Sequence, residues 1–163
     1  LRLDLRVGEA LLLDPRGEER PDVAPGPLRE RRDDLLRRYV AAGREIGFRP
    51  GGVRPLPLKP TAVSRLVANL VDNAVKYSPA STPIEVRVGP TSIEVCDHGT
   101  GIAPSEQDRV FERFYRADAA RSVPGSGLGL AIVRQIVERH GGSVWARNMP
   151  DGGASVGFSL ADE

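Results

Sequence analysis

The sequence predicts an α+β fold, with helices laid on a largely antiparallel sheet, and three observations carry that prediction. Segments of helical and of alternating periodicity are mixed along the chain. Neighbouring alternating segments are separated by gaps of hairpin length. The 163 residues, 40% hydrophobic and 28% charged, suffice for one domain with a real core and not for two. Glycine and proline, 18 and 14 of them, mark many element ends.

Residues 1 to 27 are Leu-rich and broken by Pro15, Pro21, Pro25 and Pro27, which predicts a short helix at about Leu3 to Leu13 and then a linker. From Leu28 to Ala42, Leu28, Leu35, Leu36, Tyr39 and Val40 share one helical stripe, and Gly43 stops the helix. Glu45 to Arg49 and Val53 to Leu58 read as strands around Pro50-Gly51-Gly52. The longest helix is predicted over Thr61 to Tyr77, ahead of Pro79. Ile84 to Val88 and Ser92 to Asp97 alternate on either side of Gly89-Pro90, a hairpin pattern. A helix is expected over Pro104 to Arg113, with proline tolerated in its first turn. Another spans Leu128 to His140 and ends at Gly141-Gly142. Ser143 to Arg147 and Ala154 to Leu160 close the chain as strands around Asp151-Gly152-Gly153.

Charge narrows the partners. Lysine plus arginine total 23 against 22 acidic residues, a net charge of +1, so no global field selects nucleic acid or an anionic membrane. The single cysteine, Cys96, excludes an internal disulfide framework, and no Cys/His spacing suggests zinc, which points to a reducing compartment. No apolar run approaches the roughly 18 residues of a membrane span. No charged-then-apolar pattern opens the given residues, so no signal peptide is expected among them. With Leu1 first and Met149 the only methionine, we expect a portion of a longer protein.

Four segments carry chemistry. On the helix at 61–77, Val63, Leu66, Val67, Leu70, Val71, Ala74 and Val75 form an apolar arc, while Asn69, Asn73 and Lys76 fall within roughly 60° of one another on the other side. These are an ordinary wet face, or two amide oxygens and a point charge offered to a hard cation and its phosphates. Asp97-His98-Gly99-Thr100-Gly101-Ile102 follows a strand. It is either a plain turn, or a carboxylate that accepts from an exocyclic amine beside backbone that a flat ligand can approach closely. Phe111-Glu112-Arg113-Phe114-Tyr115-Arg116 precedes a polar, small-residue stretch resembling a mobile flap, from which Arg116 and Arg121 could swing onto phosphates; Arg116 is equally readable as a surface residue. Gly125-Ser126-Gly127-Leu128-Gly129-Leu130 opens an apolar helix, an arrangement that exposes amides to anions but matches neither the P-loop nor the dinucleotide fingerprint.

In this order, from about Leu66 to Leu160, the four resemble the catalytic ATP-binding domain of bacterial sensor histidine kinases, of the superfamily shared with gyrase, the Hsp90 chaperones and MutL. NLVDNAVKYS, starting at Asn69, resembles the N box, DHGTGI the G1 box, FERFYR the F box and GSGLGLAIV the G2 box. HGGSVWARN and GGASVGFSL resemble the closing strands. The resemblance implies a Bergerat fold, a two-layer α/β sandwich whose mixed, mostly antiparallel sheet is backed by three main helices. Residues 1–27 would end a preceding helical dimerisation domain and its linker, and 28–163 would be the catalytic domain.

By the same resemblance Asp97 would accept from the adenine amino group, with Gly99, Gly101 and Ile102 shaping that wall. Asn69 and Asn73 would hold Mg²⁺ and phosphate oxygens; Lys76 and Tyr77 would contact phosphate and the nucleotide edge. Gly125, Ser126, Gly127, Leu128, Gly129 and Leu130 would wrap the phosphates of ATP. Phe111 and Phe114 would anchor a lid, and Arg116, with Arg121, would approach the γ-phosphate. Asn73, Lys76 and Arg116 are thus the expected catalytic group. The phosphoryl group would pass to a histidine on a separate dimerisation domain and then to a response regulator receiver domain.

The phosphoacceptor motif is missing here, since His98 lies inside the DHGTGI segment and His140 in a last helical turn, where we read both as structural. The fragment is expected to be monomeric and cytoplasmic, and its parent a homodimer in the bacterial inner membrane. Two rivals are a serine kinase of the anti-sigma-factor type and a non-catalytic nucleotide-binding interaction domain. FERFYR and NAVKYS argue against the first, and chemically competent side chains at every motif position argue against the second.

Overall fold

The computed structural model describes Tyr39 and residues 43–50, 58–117 and 124–161. Their strands are β1 (Ile46–Pro50), β2 (Ile84–Val88), β3 (Ser92–Cys96), β4 (Ser143–Asn148) and β5 (Ala154–Ser159). They form one sheet in the order β1-β2-β3-β5-β4, with β1 parallel to β2 and every other neighbouring pair antiparallel. Helices α1 (Pro60–Tyr77) and α2 (Gly129–Arg139) pack against each other and against the sheet. The expected two-layer α+β sandwich is therefore present. Of its three main helices two are described; from the one expected over 28–42 only Tyr39 is described, helical and 4% exposed. The helix expected at 3–13 lies outside the described residues, and so does the strand expected at 53–58 apart from Leu58, which sits in a bend.

Alternation decides which side of each strand faces the helices. In β2, Ile84, Val86 and Val88 are buried while Glu85 and Arg87 between them are not; in β3, Ile93 and Val95 turn the same way. These meet Val156 and Phe158 of β5, Leu66, Leu70 and Ala74 of α1, and Val133 and Val137 of α2. Each fully buried side chain of this kind contributes about 1.5–3 kcal/mol through area removed from water. The opposite sheet face is charged: Glu85 binds Arg49 at 2.6 Å and Arg87 at 2.9 Å, and Glu94 binds Arg147 at 3.1 Å.

The helix expected over Pro104 to Arg113 is instead two single 3-10 turns, Pro104–Glu106 and Arg109–Phe111. An isolated helix of this length is marginal, and neither turn has a side-chain cap. Tertiary contacts win: Phe111 is 5% exposed in the core, the Tyr115 hydroxyl donates to Glu106 Oε1 at 2.8 Å, and the Arg109 guanidinium stacks 4.4 Å from the Tyr115 ring centre.

Helix α2 ends as expected. Gly141 takes φ +69°, a left-handed backbone that favours glycine, and there its N–H reaches Glu138 O at 3.1 Å while the Gly142 N–H reaches Val137 O at 3.0 Å. His140 Nδ1 donates to Ile136 O at 2.8 Å, and His98 Nδ1 to Pro83 O at 3.2 Å, so both rings serve the backbone as expected.

Candidate functional site

On the polar side of α1 the three candidate residues differ in exposure. Asn69 and Asn73 are half-buried and Lys76 is exposed. The glycine segment lies along them: a β-carbon on Gly129 would meet Asn69 Oδ1 at 3.4 Å, and one on Gly125 would meet Lys76 Nζ at 2.6 Å. Gly125 and Ser126 are exposed, and Gly127 and Leu128 half-buried, just ahead of α2. The first helical bond of α2 runs from Ile132 N–H to Leu128 O at 3.0 Å, so the amides of residues 129–131 open the helix with no intrahelical partner. They give this end a partial positive charge. The Leu130 side chain does not join them, because it is 8% exposed in the core and offers only its amide.

At the other end of α1 the chain meets the loop after β3. A β-carbon on Gly99 would stand 2.1 Å from the Tyr77 carbonyl oxygen, so only glycine permits the packing of that loop on the half-buried Tyr77. Asp97 is 3% exposed. Its Oδ1 accepts from Gly99 N–H at 2.7 Å and from Ala154 N–H at 3.3 Å, while Oδ2 receives no bond among the described residues. Burial pushes its carboxyl above the ordinary 3.8, and the Gly99 and Ala154 amides oppose that push. A buried carboxylate with an unused oxygen is a hydrogen-bond acceptor waiting for a donor. Gly101, at φ +77°, and the half-buried Ile102 continue this wall.

The flap is anchored differently from expectation. Phe111 is buried, but Phe114 is 71% exposed, with φ +63°, and so cannot anchor by packing. The segment is held through backbone: the Phe114 N–H reaches Gly127 O at 3.0 Å, and a β-carbon on Gly127, itself at φ +69°, would press on the Phe114 carbonyl carbon at 2.9 Å. Arg116 is half-buried at the edge of the described segment, and Arg121 lies outside it.

Sequence reasoning missed residues that reach the site from a distance. Asn148, at the end of β4, binds both backbone polar groups of Ile102. Gly153, in the turn before β5, packs on the Asp97 carbonyl. Arg44 is 6% exposed and donates to Ser78 Oγ at 2.5 Å and to the Pro79 carbonyl, placing a cation at the C-terminal end of α1. Only Gly152-Gly153 had a local signal, that of a turn; the others act across the fold.

Residues 58–163 match the model of the family described as histidine kinase-, DNA gyrase B-, and HSP90-like ATPases. The chain is 48% identical over 103 residues to the signal transduction histidine-protein kinase/phosphatase MprB of Mycolicibacterium smegmatis, which covers 60% of this chain and 21% of that protein. Against MprB of Mycobacterium leprae the identity is 41% over 138 residues, 82% of this chain and 25% of that protein. The chain therefore spans about a fifth to a quarter of these curated relatives. A solved mycobacterial sensor histidine kinase MprB superposes with a TM-score of 0.65 at 35% identity, covering 82% of this chain and 91% of the solved one. Full-length ShkA, solved in complex with AMPPNP, superposes with a TM-score of 0.66 at 25% identity, over 83% of this chain and 30% of that one.

Proposed function

Because the chain belongs to the family of histidine kinase-, DNA gyrase B- and HSP90-like ATPases, as the ATP-binding catalytic domain of a sensor histidine kinase, we propose that it binds Mg-ATP and presents the γ-phosphoryl group to a histidine on a separate dimerisation domain. The observation that carries this reading is Asp97, a buried carboxylate whose Oδ2 is left for an exocyclic amine. Gly99, Gly101 and Ile102 would form the wall along the base. The phosphates would lie on the amides of 125–130, with Lys76 beside Gly125.

The donor set suits Mg²⁺. Among the described residues there is no cluster of three or more His, Cys, Asp or Glu, and what α1 offers instead is the hard amide oxygens of Asn69 and Asn73. A cation that arrives with its charge already balanced by phosphate needs no more than that. When bound, Mg²⁺ supplies neutralisation of the phosphate oxygens. Asn73 and Lys76 orient those oxygens, and Arg116, with Arg121, would offset charge on the transferred group.

The remainder of the reaction lies in other domains. Residues 1–27 would end the dimerisation domain that carries the acceptor histidine, residues 28–163 would form the catalytic domain, and a response regulator receiver domain would take the phosphoryl group onward. The domain would be a monomer on the cytoplasmic side, within a homodimeric parent in the inner membrane. No helix among the described residues is long and apolar enough to cross a membrane. The test is to mix the chain with ATP and a separate histidine-containing dimerisation domain. An acid-labile phosphoryl product on that domain is expected; acid-stable phosphoserine would overturn the reading in favour of a serine kinase.

A further inference from the structure

We propose that Asn148 is a positioning residue for the base end of the nucleotide site, holding the Ile102 wall at a set distance from the Asp97 carboxylate. This inference rests on the ATP-binding reading above. Residues 97–103 have no regular structure between β3 and the turn at Pro104, so their position depends on side-chain ties. Asn148 supplies a two-way tie: its Oδ1 accepts the Ile102 N–H at 2.7 Å and its Nδ2 donates to the Ile102 carbonyl at 2.9 Å. One carboxamide thus satisfies both backbone groups of Ile102, as a neighbouring strand would. The approach is close, since a β-carbon on Gly101 would stand 2.8 Å from Asn148 Oδ1, and Gly101 itself sits at φ +77°, a backbone that favours glycine.

The register of the sheet gives this tie its meaning. Asn148 pairs with Ala154 in the β4–β5 ladder. Ala154 is also the residue that holds Asp97, accepting the Asp97 N–H at 2.9 Å and donating to Oδ1 at 3.3 Å. The acceptor and the wall are therefore tied to one rung of the sheet, Asp97 through Ala154 and Ile102 through Asn148. A planar base bound to Asp97 would meet a wall whose spacing that rung sets. Asn148 itself is exposed and outside the core, so its loss leaves packing intact.

The experiment uses the full 163-residue chain and its Asn148→Ala and Asp97→Asn variants, with ATP and ADP as calorimetric probes and hydrogen exchange at the Ile102 amide. In Asn148→Ala the Ile102 amide is expected to exchange about tenfold faster, and the Kd for ATP and for ADP to rise by the same factor, also about tenfold, with binding stoichiometry unchanged. Unchanged affinity overturns the proposal. A reduced stoichiometry at constant Kd also overturns it, because that is the mark of a merely structural role. A loss confined to ATP overturns it by placing Asn148 at the phosphate end. If wild-type chain binds no nucleotide, or Asp97→Asn binds as tightly as wild type, the ATP reading falls and this inference with it. If Asp97→Asn weakens binding while Asn148→Ala does not, only this inference falls.

Discussion

A β-carbon on Gly153 would stand 1.9 Å from the carbonyl oxygen of Asp97. The turn between β4 and β5 therefore presses on the residue that presents the site's buried carboxylate. Gly152 beside it, at φ +90°, has nothing within 4 Å of the same position.

This pair makes an internal control. Gly152→Ala meets only the left-handed backbone and should cost about 1–2 kcal/mol. Gly153→Ala meets that same cost at φ +86° plus backbone that cannot move aside, and should cost more than about 2 kcal/mol and weaken ATP binding as well. Denaturant unfolding of both variants, with calorimetry of ATP binding, checks the ordering; equal losses would refute it.

Asp97→Asn separates binding from folding. Asparagine retains an oxygen for the Gly99 and Ala154 amides but lacks the charge, so ATP affinity should fall roughly 30- to 150-fold. Stability should move the other way. A carboxyl whose folded pKa is raised binds more protons in the folded state, so its ionised form is a cost that is present above the folded pKa and absent below the unfolded one. The variant should therefore equal or exceed wild-type stability at neutral pH and lose that advantage as the pH falls toward 3.8. Thermal unfolding across that range measures it.

Phe111 and Phe114, three residues apart in one motif, should respond oppositely. Phe111→Ala opens a cavity in the core and should cost about 3–5 kcal/mol. Phe114→Gly removes an exposed ring from a left-handed backbone and should stabilise the fold by about 1 kcal/mol. Chemical denaturation of the two variants decides, and a Phe114→Gly loss as large as that of Phe111→Ala would show a packing role that the exposed ring does not have here.

On the charged face of the sheet, burial pushes the Glu94 carboxyl up, but bonds from the Ser155 hydroxyl and Arg147 outweigh it and hold it below the ordinary 4.5. A depressed pKa contributes stability that is present above the unfolded value and lost as pH falls through the folded one. Glu94→Gln should cost about 1 kcal/mol at pH 7, and the cost should disappear in acid. A cost independent of pH would mean that shape, not charge, matters at this position.

The features legible in the sequence are those whose cause is local. The α1 periodicity placed Leu66, Leu70 and Ala74 in the core, and Gly89-Pro90 and Gly152-Gly153 marked hairpins that the structure contains. The order of the four motifs named the family, and the alternation of β2 and β3 assigned their buried sides. The 3-10 turns at 104–111 were not legible, because the burial of Phe111 overrides a weak local preference for helix.

By itself, then, the sequence determined which residue types stand on which element, because periodicity and glycine spacing act over a few residues. Only the tertiary structure decided how they are held. Asn148 meets Ile102 across 46 positions and Asp97 meets Ala154 across 57, because the β3–β5–β4 register, a property of the whole sheet, brings them together. It also decided between Phe111 and Phe114, since burial depends on what lies opposite a side chain and not on the side chain itself.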